Sequence, residues 1–375
     1  MIFTLDFPER DTLVFHNTGN QPPLGHVTET MCKPDITAAL KIYWKNGRVH
    51  WPFIRLAGEA ASKGKSHDEQ MRQAISYLHY LLLARPDLYV AQGLLSSDKK
   101  LIFLFGIGGE GIRQFDVEWE DPGLNKFLYA FIYRLYEPGH FADSSYINTE
   151  FDEETTARFT INITYGGDKI ACRDFYPIYA RNPFSTRTHV LSNPNFKVDG
   201  NDLTIIKDQF CRVERHFDEQ TILDKVHNPM WVPGVVVAPY GEKVELPRSA
   251  LSGNRCKRRL GLGESGSPFT SIPTLSEVLE TLFDVLEGTV FESLLQCDLL
   301  TCLQVLRYLR FNRNVLHRDI SAGNVLYIED PSNRSLPPNT VSVPTEEDAP
   351  TKGLPLCYAK FLLDKRYLYI ESGIG

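Results

Sequence analysis

Residues 314–327 read Asn-Val-Leu-His-Arg-Asp-Ile-Ser-Ala-Gly-Asn-Val-Leu-Tyr, and no other stretch of the chain is as specific about its fold. Asp319 precedes Asn324 by five positions, and apolar residues flank the pair on both sides. A carboxylate can accept the proton of an attacking hydroxyl, and an amide oxygen on the same short loop can hold a divalent cation. The stretch therefore predicts a catalytic loop. The alternative is a surface turn with a chance His-Arg-Asp triplet.

The composition is that of a globular protein from a reducing compartment. The chain has 375 residues, enough for two domains, and its formal net charge of −7 gives no signal for binding nucleic acid or acidic lipid. The seven cysteines are scattered and never spaced Cys-x-x-Cys, so neither a disulfide framework nor a zinc site is predicted. There is no secretory signal pattern and no apolar run of about 18 residues. We therefore expect a soluble intracellular protein, cytoplasmic or nuclear, that binds neither nucleic acid nor membranes.

The first half of the chain predicts a flexible arm over residues 1–37 and an α+β domain over residues 38–150. The arm is rich in Pro, Gly, Asn and Thr. Within the domain, Asn46-Gly47 predicts a tight turn, and apolar residues at helical spacing predict a helix over 68–83 that Pro86 ends. Two strands and a second helix complete the domain, over 89–95, 100–105 and 124–135. Acidic residues 150–154 mark its expected end.

The second half, residues 155–375, begins with a predicted hairpin whose strands are joined by Gly166-Gly167. A short apolar strand over 203–207 ends in Lys207, and a helical pattern over 214–226 carries Glu219 in its middle. A strand lysine that binds nucleotide phosphates and a helix glutamate that orients it form a known pair. Either residue alone could be a solvated surface charge. Their order upstream of the catalytic loop favours a functional pair.

With these motifs the chain resembles the fungal-type protein kinase family, a divergent branch of the protein kinase-like fold. The resemblance rests on four stretches: Ile205-Ile206-Lys207-Asp208, the helix with Glu219, Arg258-Arg259-Leu260 before Gly266-x-Pro268, and above all His317-Arg318-Asp319-Ile320-Ser321-x-Gly323-Asn324. It covers residues 70–364. It implies an α+β protein with a two-lobed kinase-like fold, in which the C-terminal lobe is incomplete, preceded by a smaller α+β domain.

The family resemblance implies a protein kinase that uses ATP and Mg²⁺ and phosphorylates a protein substrate on serine or threonine, with tyrosine left open. Asp319 would be the catalytic base on a loop supported by His317 and Arg318, and Val325 to Tyr327 would form the next strand. The other implied site residues are Lys207 with Glu219 for the ATP phosphates, Leu262 and Glu264 in an edge strand and hinge at the adenine, and Asn324 with Asp364 for magnesium.

Several features depart from the family pattern. Residues 184–189, which would hold the phosphate-covering turn, contain no glycine. Residues 289–306 add an apolar segment, residues 331–353 read as a disordered insertion, and the chain ends soon after Asp364. These departures favour an alternative, a catalytically impaired pseudokinase or fragment that acts as an interaction module. A small-molecule phosphotransferase is a third possibility, but that class usually lacks the His-Arg pair before the Asp.

Three further patterns indicate weaker chemistry. Glu59-x-x-x-Lys63 resembles the Glu and Lys of restriction-type nucleases, but no preceding Asp is convincingly placed and a solvated loop is favoured. Gly106-x-Gly108-Gly109-x-Gly111 follows an apolar strand, and a flexible turn is favoured over a phosphate cradle. The basic run at residues 255–259 is explained by a solvated strand edge.

Overall fold

The structure is a computed structural model of the chain. It describes residues 12–19, 21–28, 32–60, 64–136, 139–151, 157–214, 219–228, 236–244 and 255–263, together with three short strands nearer the end of the chain. The described residues form a mixed α+β fold that is mostly sheet. The chain divides into two compact units. The first comprises residues 1–192, 206–214 and 242–259, and the second comprises residues 193–205, 215–241 and 260–375.

The first sheet has six strands that lie side by side in chain order. They are β1 (Leu13–Asn17), β2 (Ile36–Leu40), β3 (Leu56–Ala60), β4 (Val90–Ser96), β5 (Lys100–Ile107) and β6 (Gly111–Glu118). Strands β3 and β4 are parallel, and the other neighbours are antiparallel. A parallel pair needs a crossover connection, which helix α1 (His67–Ala84) provides.

Both helices of the first half are confirmed, and both pack on the first sheet. A capping box between Ser66 and Glu69 begins α1, and Leu78 and Leu82 on its apolar face lie in one hydrophobic core. Helix α2 (Leu124–Tyr136) contributes Phe131 to a second core. The predicted tight turn is also confirmed, because Asn46 and Gly47 both have positive φ, 50° and 74°.

The boundary predicted for the flexible arm is wrong in part. Residues Leu13–Asn17 form β1 and pair with β2, which itself begins at Ile36 inside the predicted arm. The hydroxyl of Thr18 donates a hydrogen bond to the carbonyl of Pro34 at 2.6 Å. The sequence did not predict β1 because the strand has only five residues and lies in a segment rich in Pro and Gly.

The second sheet has seven strands in the order β14-β15-β13-β10-β9-β8-β7. They are β7 (Tyr146–Phe151), β8 (Ala157–Tyr165), β9 (Asp168–Arg181), β10 (Thr188–Ser192), β13 (Ile205–Arg212), β14 (Tyr240–Val244) and β15 (Arg255–Leu262). A small pair, β11 (Lys197–Val198) and β12 (Asn201–Asp202), and helix α3 (Glu219–Val226) complete this part. The predicted Gly166-Gly167 hairpin is confirmed by the pairing of Tyr165 with Asp168.

Three local predictions change in this sheet. Strand β13 runs five residues beyond Lys207, which is therefore inside the strand and does not end it. Strand β15 lies between β14 and β13, so the predicted edge strand is an interior strand. The described part of α3 begins at Glu219, which places Glu219 in the first turn of that helix.

The strand predicted after the catalytic loop is confirmed. It is β17 (Val325–Tyr327), which pairs with β16 (Ser267–Pro268) and with β18 (Leu368–Ile370). None of the described helices is long and apolar enough to span a membrane.

Candidate functional site

Lys207 is the third residue of β13, in the interior of the second sheet, and is 8% exposed. Side chains alternate between the two faces of a strand. Lys207 therefore lies on one face, called the front face, and Asp208 and Phe210 lie on the other, called the back face. Asp208 and Phe210 are both fully buried. The sequence thus places a lysine and an aspartate next to each other but directs them to opposite faces of the sheet.

Four buried charged side chains pair with one another at the back face and are called the ion cluster: Asp143, Asp208, Lys257 and Arg259. Arg259 makes a bidentate pair with Asp208, at 2.7 Å and 2.9 Å, and also donates to Asp143 at 3.1 Å. The Nζ atom of Lys257 lies 2.6 Å from Asp143 and 2.7 Å from Asp208. The hydroxyl of Tyr146 donates to Asp208 at 2.8 Å. Two cations and two carboxylates therefore neutralise each other inside the first unit.

The ion cluster shifts the protonation equilibria of its members. Burial alone would raise the pKa of Asp208, but Arg259 and Lys257 outweigh burial and hold that pKa below its usual range. The pKa of Asp143 is also lowered: burial alone would raise it, but Lys257 and Arg259 outweigh burial. The ion cluster connects Asp143, in the loop after α2, to strands β13 and β15. The predicted solvated strand edge at residues 255–259 is therefore wrong, since Lys257 and Arg259 are buried in an interior strand.

Arg187 attaches the turn between β9 and β10 to the end of helix α1. Its guanidinium is fully buried and donates to the carbonyls of Leu82, Arg85 and Leu88. Burial lowers the pKa of Arg187 to about 10, still far above neutrality. His189 donates from Nε2 to the carbonyl of Leu82 at 3.1 Å. The carbonyls of Leu82 and Arg85 are among those that α1 leaves unpaired at its C-terminus, where a cation is also favoured by the helix dipole, and Leu88 lies in the segment after the helix.

The turn between β9 and β10 also packs against the glycine-rich stretch between β5 and β6. A Cβ on Gly108 would lie 2.6 Å from Arg187, so only glycine leaves room for the guanidinium. The Gly109 amide donates to the carbonyl of Pro183 at 2.8 Å, and Gly109 has φ of +80°. Phe184 packs against the core beneath α1. The glycines therefore hold neighbouring protein, and the predicted flexible turn is in this structure a fixed docking turn.

The residues predicted to bind ATP are divided between the two units. Lys207 belongs to the first unit, whereas Glu219 and Leu262 belong to the second. Glu219 lies in the first turn of α3, where negative charge is favourable to the helix dipole. Leu262 is buried, and its carbonyl accepts a hydrogen bond from the Thr204 amide at 3.0 Å. The nucleotide-binding roles of these three residues remain predictions.

The remaining predicted site residues lie outside the described residues. They are His317, Arg318, Asp319 and Asn324 of the catalytic loop, Asp364 of the magnesium site and Glu264 of the hinge. The apolar segment 289–306 and the insertion 331–353 also lie outside them. Within the part of the chain that the structure describes, no group of three His, Cys, Asp or Glu side chains is placed to hold a metal ion.

The predicted solvated loop is wrong for Glu59, and Lys63 of the same pattern lies outside the described residues. Glu59 is the fourth residue of β3 and is fully buried. Its carboxylate accepts hydrogen bonds from Lys65 at 3.1 Å and from the hydroxyl of Tyr77 at 3.0 Å. Asp35, which the sequence pattern did not single out, accepts a hydrogen bond from the Ala60 amide at 3.1 Å. Burial and the nearby charge of Asp35 raise the pKa of Glu59, and with both oxygens bonded inside the protein the arrangement favours a structural role.

The sequence did not single out Asp143 or Arg187, and it assigned Lys257 and Arg259 to a solvated basic run and so missed their buried pairing. Their partners are far away along the chain, so no spacing motif connects them: Lys257 and Asp143 are 114 positions apart. One signal was present, since a cluster of glycines after a strand marks a place where other atoms approach closely.

Comparison of the chain with family models of known proteins finds no match, and comparison with curated protein sequences finds no relative. The functional inference therefore depends on residues and geometry.

Proposed function

We propose that the chain is a protein kinase-like phosphotransferase that binds ATP with Mg²⁺ and phosphorylates a hydroxyl of a protein substrate, serine or threonine before tyrosine. One observation carries the proposal. Lys207 lies on β13, an interior strand of the seven-stranded sheet, and helix α3, with Glu219, follows that strand in the chain. In protein kinases the phosphate-binding lysine lies on a strand of the small lobe and its glutamate partner on the next helix.

Lys207 lies on the front face of β13, opposite to the ion cluster, and its backbone is held inside the sheet. In the proposed site its ammonium group would bind the nucleotide phosphates.

The proposed reaction would use the pair of Lys207 and Glu219 together with the residues of the predicted catalytic loop. ATP supplies the phosphoryl group when bound. Asp319 would accept the proton of the attacking hydroxyl, and His317 and Arg318 would support its loop. Asn324 and Asp364 carry the oxygen ligands that magnesium prefers. Lys207, oriented by Glu219, would bind the phosphates, and Leu262 and Glu264 would lie at the adenine.

Thermal unfolding with added nucleotide tests the binding part of this proposal. We expect ATP with Mg²⁺ to raise Tm of the wild type, and the rise to disappear in Lys207→Ala and Asp364→Ala. Lys197, which is exposed on β11, provides a matched control, and Lys197→Ala should keep the rise. No rise at any ATP concentration would contradict the proposal.

Phosphoryl transfer to a general protein acceptor tests the catalytic part. Asp319→Asn should abolish transfer while nucleotide binding stays nearly intact, because the base acts on the acceptor and not on ATP. Equal transfer by wild type and Asp319→Asn would contradict the assignment of the base.

The second candidate is a pseudokinase that uses the kinase-like sheet as an interaction module. The specific observation in its favour is the turn between β9 and β10, which contains no glycine and is packed against the first sheet. ATP binding that depends on Lys207, without any transfer that depends on Asp319, would favour this candidate over the active enzyme.

A further inference from the structure

Strand β6 is an edge strand of the first sheet, and its central residues are open to solvent. Among the described strands, β6 has β5 on one side and none on the other. Residues 113–116 are all exposed. The strand contains neither proline nor a bulge, two devices with which proteins commonly protect a sheet edge from other chains. Its outer side can therefore pair with a further strand.

The backbone groups that β6 leaves unpaired belong to alternate residues. The amide of Trp119, directly after β6, donates a hydrogen bond to the carbonyl of Lys99, directly before β5. Hydrogen-bonded and non-hydrogen-bonded pairs alternate along antiparallel strands, so the odd-numbered residues of β6 bond to β5. The even-numbered residues direct their N–H and C=O groups outwards, and these residues are Ile112, Gln114, Asp116 and Glu118.

Three large aromatic side chains are exposed at the same edge. Phe115, Trp119 and Phe127 of α2 are 45%, 43% and 42% exposed. The rings of Phe115 and Phe127 meet edge to face, with their centroids 4.9 Å apart. Phe115 therefore lies on the face of the sheet that α2 covers. Exposed aromatic side chains beside an open strand edge are typical of a surface that binds another protein.

We propose that β6 is a dimerisation edge, along which a second copy of the chain pairs antiparallel about a two-fold axis. In one register every outward-facing residue has a partner, with Ile112 opposite Glu118 and Gln114 opposite Asp116 between the two copies. A shift of two residues in either direction leaves one of the four without a partner. The hydrogen bonds of the edge thus select a single register.

The side chains favour the same register. Phe115 lies at the two-fold axis, opposite Phe115 of the second copy, in a non-hydrogen-bonded pair whose Cα atoms are about 4.5 Å apart. The two Phe115 rings and the two Phe127 rings then cover one another. No position opposes two like charges, whereas a shift of two residues towards the C-terminus would oppose Asp116 to Asp116. This self-complementarity favours a second copy over an unrelated extended segment as the occupant.

Sedimentation of the full chain over a concentration series tests the dimer. We expect the wild type to reach twice the chain mass of 42.7 kDa. Gln114→Pro removes an outward N–H group while keeping the bonds to β5, so it should stay monomeric over the same series. Gln114→Ala keeps that N–H group and should dimerise like the wild type.

Two results of this measurement would overturn the dimer. A monomeric wild type over the whole series would leave the edge of β6 to an extended segment of another protein. A dimer that persists in folded Gln114→Pro would place the contact between copies at another surface.

Oxidative cross-linking provides a second measurement, which does not need Gln114→Pro to fold. Phe115→Cys places two thiols opposite each other at the two-fold axis, at a Cα separation that a disulfide can bridge. We expect a linked dimer, identified by the mass of the peptide joined through position 115. Phe15→Cys is the matched control, because Phe15 is 46% exposed on β1, at the other end of the same described sheet. No link through position 115, or equal linkage through position 15, would contradict the β6 dimer.

Discussion

Lys207 and Lys257 are both buried lysines on neighbouring strands of one sheet, yet their surroundings differ in kind. Lys257 is fully buried on the back face, within 2.7 Å of two carboxylates. Lys207 lies on the front face and is 8% exposed. The charge of Lys257 is matched inside the fold, which is typical of a structural ion pair. Burial alone therefore does not distinguish a structural lysine from a functional one, and the face of the sheet on which the side chain lies must also be known.

The largest effect should follow from breaking the ion cluster. Asp208→Ala leaves Lys257 and Arg259 with Asp143 as their remaining fully buried carboxylate, and removing one partner of a buried pair costs about 3–5 kcal/mol. We expect a loss of that size in the free energy of unfolding, measured with urea. Asp116→Ala is the control, because its pair with Lys100 is exposed and should contribute less than about 1 kcal/mol. Equal losses in the two variants would remove the distinction between back face and surface.

A smaller effect should follow from filling the space at Gly108. The added methyl of Gly108→Ala would meet the Arg187 guanidinium, and overpacking of this kind costs about 1–3 kcal/mol. In the background of Arg187→Met the same substitution should cost less, which gives a favourable coupling energy in a double-mutant cycle. Additive losses in the cycle would mean that Gly108 is needed for a reason other than the approach of Arg187.

Acid should lower the free energy of unfolding by protonating the carboxylates of the ion cluster. The folded-state pKa values of Asp143 and Asp208 are lowered, so both contribute stability that is present above the unfolded pKa of about 3.9 and is lost as the pH falls below it. Between about pH 5 and pH 2, Asp208→Asn should therefore lose less free energy of unfolding, measured with urea, than the wild type does. If the free energy of unfolding falls equally with pH in both proteins, the contacts of Asp208 do not lower its pKa.

Glu59 should show the opposite dependence and the smallest effect. Its pKa is raised in the folded state, so its favourable contribution is present at low pH and is lost as the pH rises through that pKa. Glu59→Gln, which is neutral throughout, should therefore flatten the decrease in the free energy of unfolding as the pH rises through the pKa of Glu59. A steeper decrease in Glu59→Gln would mean that the pairing with Lys65 dominates over burial.

The regular elements of this chain were predictable because their signals are local. The apolar spacing of α1 and the glycine pair between β8 and β9 lie within a few residues of the elements they specify. The ion cluster and the Arg187 anchor were not predictable, because they join residues far apart along the chain, from 51 positions for Arg259 and Asp208 to 114 for Lys257 and Asp143. Charged residues on strands usually lie at the surface, which is why residues 255–259 were assigned to a solvated edge.

The candidate site was predictable only as a set of residue types. The sequence places Lys207, Glu219, Asp319 and Asn324 in the order typical of protein kinases, and the structure adds the strand of Lys207 and its position in the sheet.

Titration of wild type and Lys207→Met with Mg²⁺-ATP and with adenosine tests the central claim most directly. We expect Lys207→Met to lose about tenfold or more in affinity for ATP, the equivalent of one charge-assisted hydrogen bond, and to keep its affinity for adenosine. Unchanged ATP affinity in Lys207→Met would contradict the assignment of Lys207 to the nucleotide phosphates.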